Sequence, residues 1–343
     1  MSRTTARPFA ETRFPVFVQS QQGRVAKDGD TLRVEADDAP PRLVRLDDVS
    51  ELVLMGNVAV TTPCLHALFR RGVAVTWCGA DGWPLGRCFG FTPAAVAVRQ
   101  AQYAAAADPV RALAIARLLV AAKIRNGRTL LRRHGTGRFG LGAVLDILSR
   151  SEQDAMAASG LDALLGVEGA AAARHFAALA RRLASGPGSG ALTAGFTARR
   201  RRLPTDPVNA VLSFTYALLV RVCERAAAEA GFDPALGFLH QPRDGRPALA
   251  LDLMEPWRPV VADSVTLRLF RHGELTTEDF AAADGAVLLD DGGRRRVIAA
   301  FEARLDDEAG SAGTLRTAIS ADAACLARYV TGGADAFTPW LWR

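Results

Sequence analysis

A change of hydrophobic period near residue 95 sets the architecture of this chain. Before it, apolar and polar residues alternate in short runs; beyond it, apolar residues recur at helical spacing over long stretches. Phe17-Val18 leads into a Gln21-Gln22-Gly23 turn, and Thr31-Leu32-Arg33-Val34-Glu35 alternates strictly. Further strands are expected near 42–46, 51–55, 58–61 and 73–77, with one helix over 63–71 and a turn at Gly79-Ala80-Asp81-Gly82. Helices are expected over 109–133, 161–184, 207–230, 246–270 and 294–309. A chain of 343 residues is long for one core. The expected fold class is α+β: a small β-rich N-terminal domain, residues 1–95, followed by a larger, mostly α-helical domain, residues 96–343.

Several classes are disfavoured by composition. No apolar run reaches the length of a membrane span, and the best, around 210–220, reads as a buried helix. The N-terminus mixes charge with small polar residues and lacks a secretory apolar segment, so a cytoplasmic location is expected. The five cysteines (Cys64, Cys78, Cys88, Cys223, Cys325) show neither a CxxC pair nor zinc spacing and are expected as reduced thiols.

Net charge is a modest +6, but the positive charge is almost all arginine; Lys27 and Lys123 are the only lysines. A GC-rich coding bias accounts for the arginine preference as readily as function does. The clusters are more telling. Arg199, Arg200, Arg201 and Arg202 form a run of the kind phosphate backbones attract through counterion release, and Arg132-Arg133-His134 and Arg181-Arg182 add others. Arg294-Arg295-Arg296, beside Asp290-Asp291, reads instead as a self-neutralised surface turn. A Gly-, Ser- and Pro-rich loop over 185–190 precedes the arginine run.

Three islands carry candidate chemistry: Glu168-Gly169, Leu239-His240, and Asp252-Leu-Met-Glu255. Acidic groups among apolar neighbours are costly unless a positive charge sits among them. Mixed carboxylate and imidazole donors suit Mg²⁺ or Mn²⁺ with positions open for water and phosphate, the equipment of phosphodiester chemistry. Each residue also has a plain structural role open to it. Glu168 fits a helix-start acid, His240 a core histidine, and Asp252 with Glu255, three apart, a solvated helix face.

Arg202-Leu-Pro-Thr-Asp-Pro-Val-Asn209 runs into an apolar segment bearing Tyr216, and Gly245-Arg-Pro-Ala-Leu-Ala-Leu-Asp252-Leu-Met-Glu255-Pro-Trp-Arg258 follows His240. With Pro15-Val-Phe-Val-Gln19, Gly56-Asn57 and Phe301-Glu302-Ala-Arg304 at compatible spacing, the chain resembles the CRISPR-associated integrase family, the first of the Cas proteins. That resemblance implies a metal-dependent DNA integrase and endonuclease that joins 3′-hydroxyl ends of captured DNA to a CRISPR repeat. It implies Glu168, His240 and Glu255 as ligands of Mg²⁺ or Mn²⁺. Asp252 becomes a supporting catalytic acid that binds a water, orients His240 or joins a second metal site. Arg258, with Arg199 to Arg202, becomes a candidate for DNA contact. His175 stands where the family usually carries an aromatic residue and is expected to pack in its place.

The resemblance also implies a homodimer formed partly through the β-rich domains, and assembly with the second Cas adaptation protein on double-stranded or branched DNA. It is nearest to members that work with an iron–sulfur Cas nuclease. The cysteines here form no cluster-binding set, so that partner is expected outside these residues. Three alternatives remain open at this point. They are a transposon-type integrase, a general DNA nuclease, and a non-catalytic architectural protein that binds nucleic acid.

Overall fold

The computed structural model describes residues 13–36, 40–90, 96–135, 141–184, 190–200, 203–283 and 285–342. The chain has an α+β fold and forms two compact units, Met1–Pro93 and Ala94–Arg343.

The first unit contains β1 (Phe14–Gln19), β2 (Arg24–Asp28), β3 (Thr31–Glu35), β4 (Arg42–Arg45), β5 (Val49–Met55), β6 (Ala59–Val60), α1 (Thr62–Arg70), β7 (Ala74–Cys78) and β8 (Pro84–Cys88). One sheet has the order β1-β5-β7-β8 and the other β4-β3-β2-β6. Alternation in β1 and β3 puts Val16, Val18, Leu32 and Val34 into the core. In the first sheet β5 lies between two parallel neighbours, so it is buried almost throughout rather than alternating. The turn expected at residues 79–82 is present: Gly82 adopts φ +79°, a conformation that favours glycine, and its N–H donates to Gly79 O. Strand β8 was not expected, because its side chains are mostly exposed and carry no apolar alternation.

The second unit is built from α2 (Val96–Ala107), α3 (Pro109–Gly135), α4 (Gly142–Ala157), α5 (Leu161–Ala184), the short α6 (Ala191–Ala194), α7 (Pro207–Glu229), α8 (Ala248–Met254), α9 (Ser264–Arg271), a hairpin of β9 (Phe280–Ala283) and β10 (Ala286–Leu289), α10 (Asp291–Leu305) and α11 (Leu315–Val330). Helix α7 is apolar around most of its circumference and is the buried axis of the unit, packed by α8, α9, α11 and β10. Its start is specified locally: Pro207 occupies the first turn, and Asp206 caps it by accepting the Asn209 N–H at 2.8 Å. Helices α3, α4 and α5 enclose a second apolar cluster, which Leu239 joins.

The helix expected over 246–270 is broken. It stops at Met254, turns through Glu255 and Pro256, and continues as a π-helical stretch, Arg258–Asp263, before α9. Proline lacks an N–H and crowds the preceding turn, so Pro256 and Pro259 account for the interruption. The Arg294 to Arg296 segment is the first part of α10, not a surface turn, although its charges are matched: Arg294 pairs with Asp291 and Arg296 with Asp279. Among the described residues no helix is long and apolar enough to cross a membrane.

Candidate active site

Four segments far apart in sequence meet beside α7. Helix α3 brings Lys123, α5 brings Glu168, the loop after α7 brings His240, and the interrupted segment from α8 into the π-helical stretch brings Asp252, Glu255 and Arg258. The loop leaves α7 at Gly231, where φ is +91°. From α2, the Gln102 side chain pins it by donating to Asp233 O at 2.8 Å and Leu236 O at 2.7 Å, and by accepting the Asp233 N–H at 2.9 Å.

Asp252 is fully buried and holds that loop against α8. Its Oδ2 accepts the backbone N–H groups of Phe238 at 2.5 Å and Leu239 at 2.9 Å. Its Oδ1 accepts the His240 N–H at 2.9 Å and pairs with the ring Nδ1 at 2.7 Å. An ionised carboxylate only accepts, so Nδ1 donates to it and the ring's other nitrogen, Nε2, is turned outward. Close packing makes a glycine necessary at 237. A Cβ there would sit 2.7 Å from Asp252 Oδ2 and 3.0 Å from the Ala248 carbonyl.

The Nε2 edge of His240 faces Glu255 Oε1 at 3.8 Å. The same oxygen meets Arg258 Nη2 at 3.2 Å, and the other, Oε2, lies 2.6 Å from Lys123 Nζ. Oε2 is buried, and the Lys123 ammonium is its charge partner. Lys123 also donates to Glu168 Oε1, so one ammonium bridges the two glutamates. Burial alone pushes the Glu255 carboxyl up. The positive charges of Arg258, Lys123 and His240 outweigh that and hold it at about 2.

Behind Arg258 lies a buried polar group that the sequence had not revealed. Asp263 accepts the Tyr216 hydroxyl at 2.6 Å through Oδ1 and pairs with His175 Nε2 at 2.9 Å through Oδ2. The Arg258 guanidinium sits over the Tyr216 ring at 4.8 Å, and Arg199 approaches it at 5.3 Å. Burial and the neighbouring Asp263 charge push the Tyr216 phenol well above its ordinary range. His175 is therefore more than a packing substitute; it is a buried hydrogen-bonding residue that also meets Phe176 edge-on.

Of the arginine run, Arg199 packs onto α7, donating to Asn209 Oδ1 at 3.0 Å and Ser213 Oγ at 3.1 Å. Arg200 is exposed, with its backbone N–H held by Asn209 Oδ1 at 2.8 Å. Arg201 and Arg202 lie outside the described residues, as does the loop 185–189. The structure thus brings Glu168, His240, Asp252, Glu255 and Arg258 together and adds Lys123. Its one sequence signal was rarity: a lysine in a chain that otherwise uses arginine.

As they stand, no three His, Cys, Asp or Glu side chains among the described residues converge closely enough to hold a metal ion. Lys123 takes up the room between the two glutamates. The donor set nevertheless suits a hard divalent cation. It comprises two carboxylates, one with a buried oxygen met by the Lys123 ammonium, and an imidazole whose outer nitrogen is turned toward Glu255.

A family model described as "CRISPR associated protein Cas1" matches residues 16–303. A "CRISPR-associated exonuclease Cas4/endonuclease Cas1 fusion" from Geobacter sulfurreducens is 42% identical over 338 residues, which are 96% of this chain. The chain spans 60% of that relative's length. A "CRISPR-associated endonuclease Cas1 2" from Rhodospirillum rubrum is 35% identical over 344 residues, covering 96% of this chain and 98% of its own. The solved structure of a Cas1 protein from Thermotoga maritima has the same fold. Its TM-score is 0.82 at 21% identity, covering 94% of this chain and 99% of that one. The chain belongs to the CRISPR-associated Cas1 family.

Proposed function

We propose that this chain is a metal-dependent DNA integrase and endonuclease of CRISPR adaptation. It would join the 3′-hydroxyl of a captured DNA fragment to a CRISPR repeat by transesterification. One observation carries the proposal. Glu168, on α5, and Glu255, just past the end of α8, close on a single cation, while Asp252 aims the Nε2 edge of His240 at Glu255. Glu168, His240 and Glu255 would hold Mg²⁺ or Mn²⁺, which when bound supplies Lewis-acid polarisation of the scissile phosphate and a lowered pKa for the attacking hydroxyl.

The remaining roles belong to the chain. Asp252 is a positioning residue whose four contacts fix the imidazole and leave none of its hydrogen bonds for a second metal. Arg258, stacked on Tyr216 and joined to Glu255, offers a guanidinium to a phosphate oxygen. Tyr216 is no nucleophile: its hydroxyl donates to Asp263 and resists ionisation. Direct attack fits that chemistry. The 3′-oxygen loses its proton as it bonds to phosphorus, and the displaced strand leaves with a 3′-hydroxyl. Water in place of the hydroxyl gives the nuclease reaction.

We assign the β-rich unit to a homodimer interface and the whole to a cytoplasmic complex with the second Cas adaptation protein. An iron–sulfur Cas nuclease partner is supported by the Geobacter relative, whose name joins exonuclease Cas4 to endonuclease Cas1. The deciding experiment is strand transfer on branched DNA with Mn²⁺ or Mg²⁺, comparing wild type with His240→Ala. Metal-dependent product from the wild type alone is expected. Binding of the branch without any cutting or joining by wild type would favour an architectural protein instead.

A further inference from the structure

Lys123 is one of two lysines among 42 lysine and arginine residues, and it stands between two glutamates. Its side chain is 13% exposed, and those of Glu168 and Glu255 are 12% and 4% exposed. Both glutamates go to the ammonium. Like charges at such burial repel strongly unless a cation stands between them. An ammonium is compact and directs three donors, so it fits between two carboxylates where a planar guanidinium would splay them. The side chain reaches this point from α3, which packs against α5, the helix of Glu168, and contacts α8, whose end Glu255 follows.

We infer that Lys123 is the resident counter-ion of the metal-free site, holding Glu168 and Glu255 together and leaving the gap between them when a divalent cation binds. This rests on the metal site proposed above. Glu168 Oε1 and Glu255 Oε2 are the oxygens that the ammonium occupies. A cation entering between the glutamates must displace it, so the lysine competes with the metal. The metal-free site then costs less to keep folded, and loading becomes an exchange of one cation for another. Net charge supports exchange over simple addition. Glu168, Asp252 and Glu255 supply three negative charges, against which Lys123 and Arg258 already set two positive ones.

The chain offers a direct readout. Lysine-selective ¹³C labelling gives two side-chain Cε signals, one from Lys123 and one from Lys27, which is exposed in β2 of the other unit. Titration with Mg²⁺, which is diamagnetic, should shift the Lys123 signal and leave that of Lys27 in place. Lys123→Met keeps most of the stem and removes the charge. It should lower the melting temperature without metal, enlarge the metal-induced rise, and tighten Mn²⁺ binding by calorimetry about tenfold or more. If the variant fails to fold, the wild-type titration decides the matter alone. A Lys123 signal that stays put while calorimetry and melting show bound metal would overturn this inference and leave the proposed function standing. So would a folded Lys123→Met variant that binds Mn²⁺ no more tightly than wild type. No metal binding by either protein would overturn both.

Discussion

Replacing Asp252 with asparagine separates two tasks that one carboxylate performs. Oδ2 accepts from the Phe238 and Leu239 amides, and Oδ1 from the His240 amide and ring Nδ1. An asparagine keeps one oxygen and turns the other into a donor, so two N–H groups lose their acceptor if the oxygen faces His240, and one does if it faces Phe238 and Leu239 and the imidazole shifts its proton. Each loss costs about 1–3 kcal/mol, so the variant loses about 1–3 kcal/mol in the second case and about 2–6 kcal/mol in the first. The orientation decides where function suffers. With its oxygen toward Phe238 and Leu239, the amide NH₂ faces Nδ1, and the imidazole moves its proton to Nε2 to accept it. The outer nitrogen is then blocked, and Mn²⁺ affinity falls about 10–100-fold. With its oxygen toward His240, the imidazole stays ready and the cost appears as faster hydrogen exchange at residues 238 and 239. Urea unfolding, calorimetry with Mn²⁺ and exchange mass spectrometry together distinguish the two cases. A variant within about 0.5 kcal/mol of wild type, with unchanged metal affinity and exchange, would refute the role given to Asp252.

Two further changes probe the surroundings. The Arg200 side chain is exposed, so Arg200→Ala should leave stability within about 0.5 kcal/mol. If it contacts a phosphate, the slope of log affinity against log salt concentration falls by about one; an unchanged slope removes it from the DNA interface. Burial pushes the Asp322 carboxyl up to about 7, against hydrogen bonds from the Trp340 backbone and the Trp257 indole that favour its charge. The folded chain therefore retains a proton that the unfolded chain gives up near the ordinary 3.8, and stability falls as pH rises between those values. The full penalty is of order 4 kcal/mol. Asp322→Asn should flatten the fall, and equal slopes of urea midpoint between about pH 5 and 8 in both proteins would count against it.

The elements most legible in the sequence were those with a strong, continuous period. The β3 strand and α5 appear at the expected bounds, and α7 within one residue. Helices α4 and α11 went unseen although both bury residues at helical spacing: α4 buries only Val144, Leu148 and Ala155, and in α11 three of eight buried residues are alanines, which give a weak hydrophobic signal. The β9–β10 hairpin escaped for a different reason: three of the four β9 residues are alanines on an exposed strand.

The acidic site was legible only in part, for a reason that lies in charge. Glu168, His240 and Glu255 each fit an ordinary local role, and only their joint resemblance to a family set them apart. Asp252 had several candidate roles, and its four hydrogen bonds to the loop at residues 238–240 support the positioning role proposed above. What the local pattern hides is the partner that makes these acids tolerable. A lysine on a long amphipathic helix reads as a solvated surface residue, yet Lys123 turns inward to residues 45 positions away in Glu168 and 132 positions away in Glu255. Buried carboxylates demand positive charge, and a sequence shows the demand without its source. The expected answer was a metal. The fold supplies Lys123 and Arg258 as well, so the site carries enough positive charge to hold Glu255 ionised before any metal arrives.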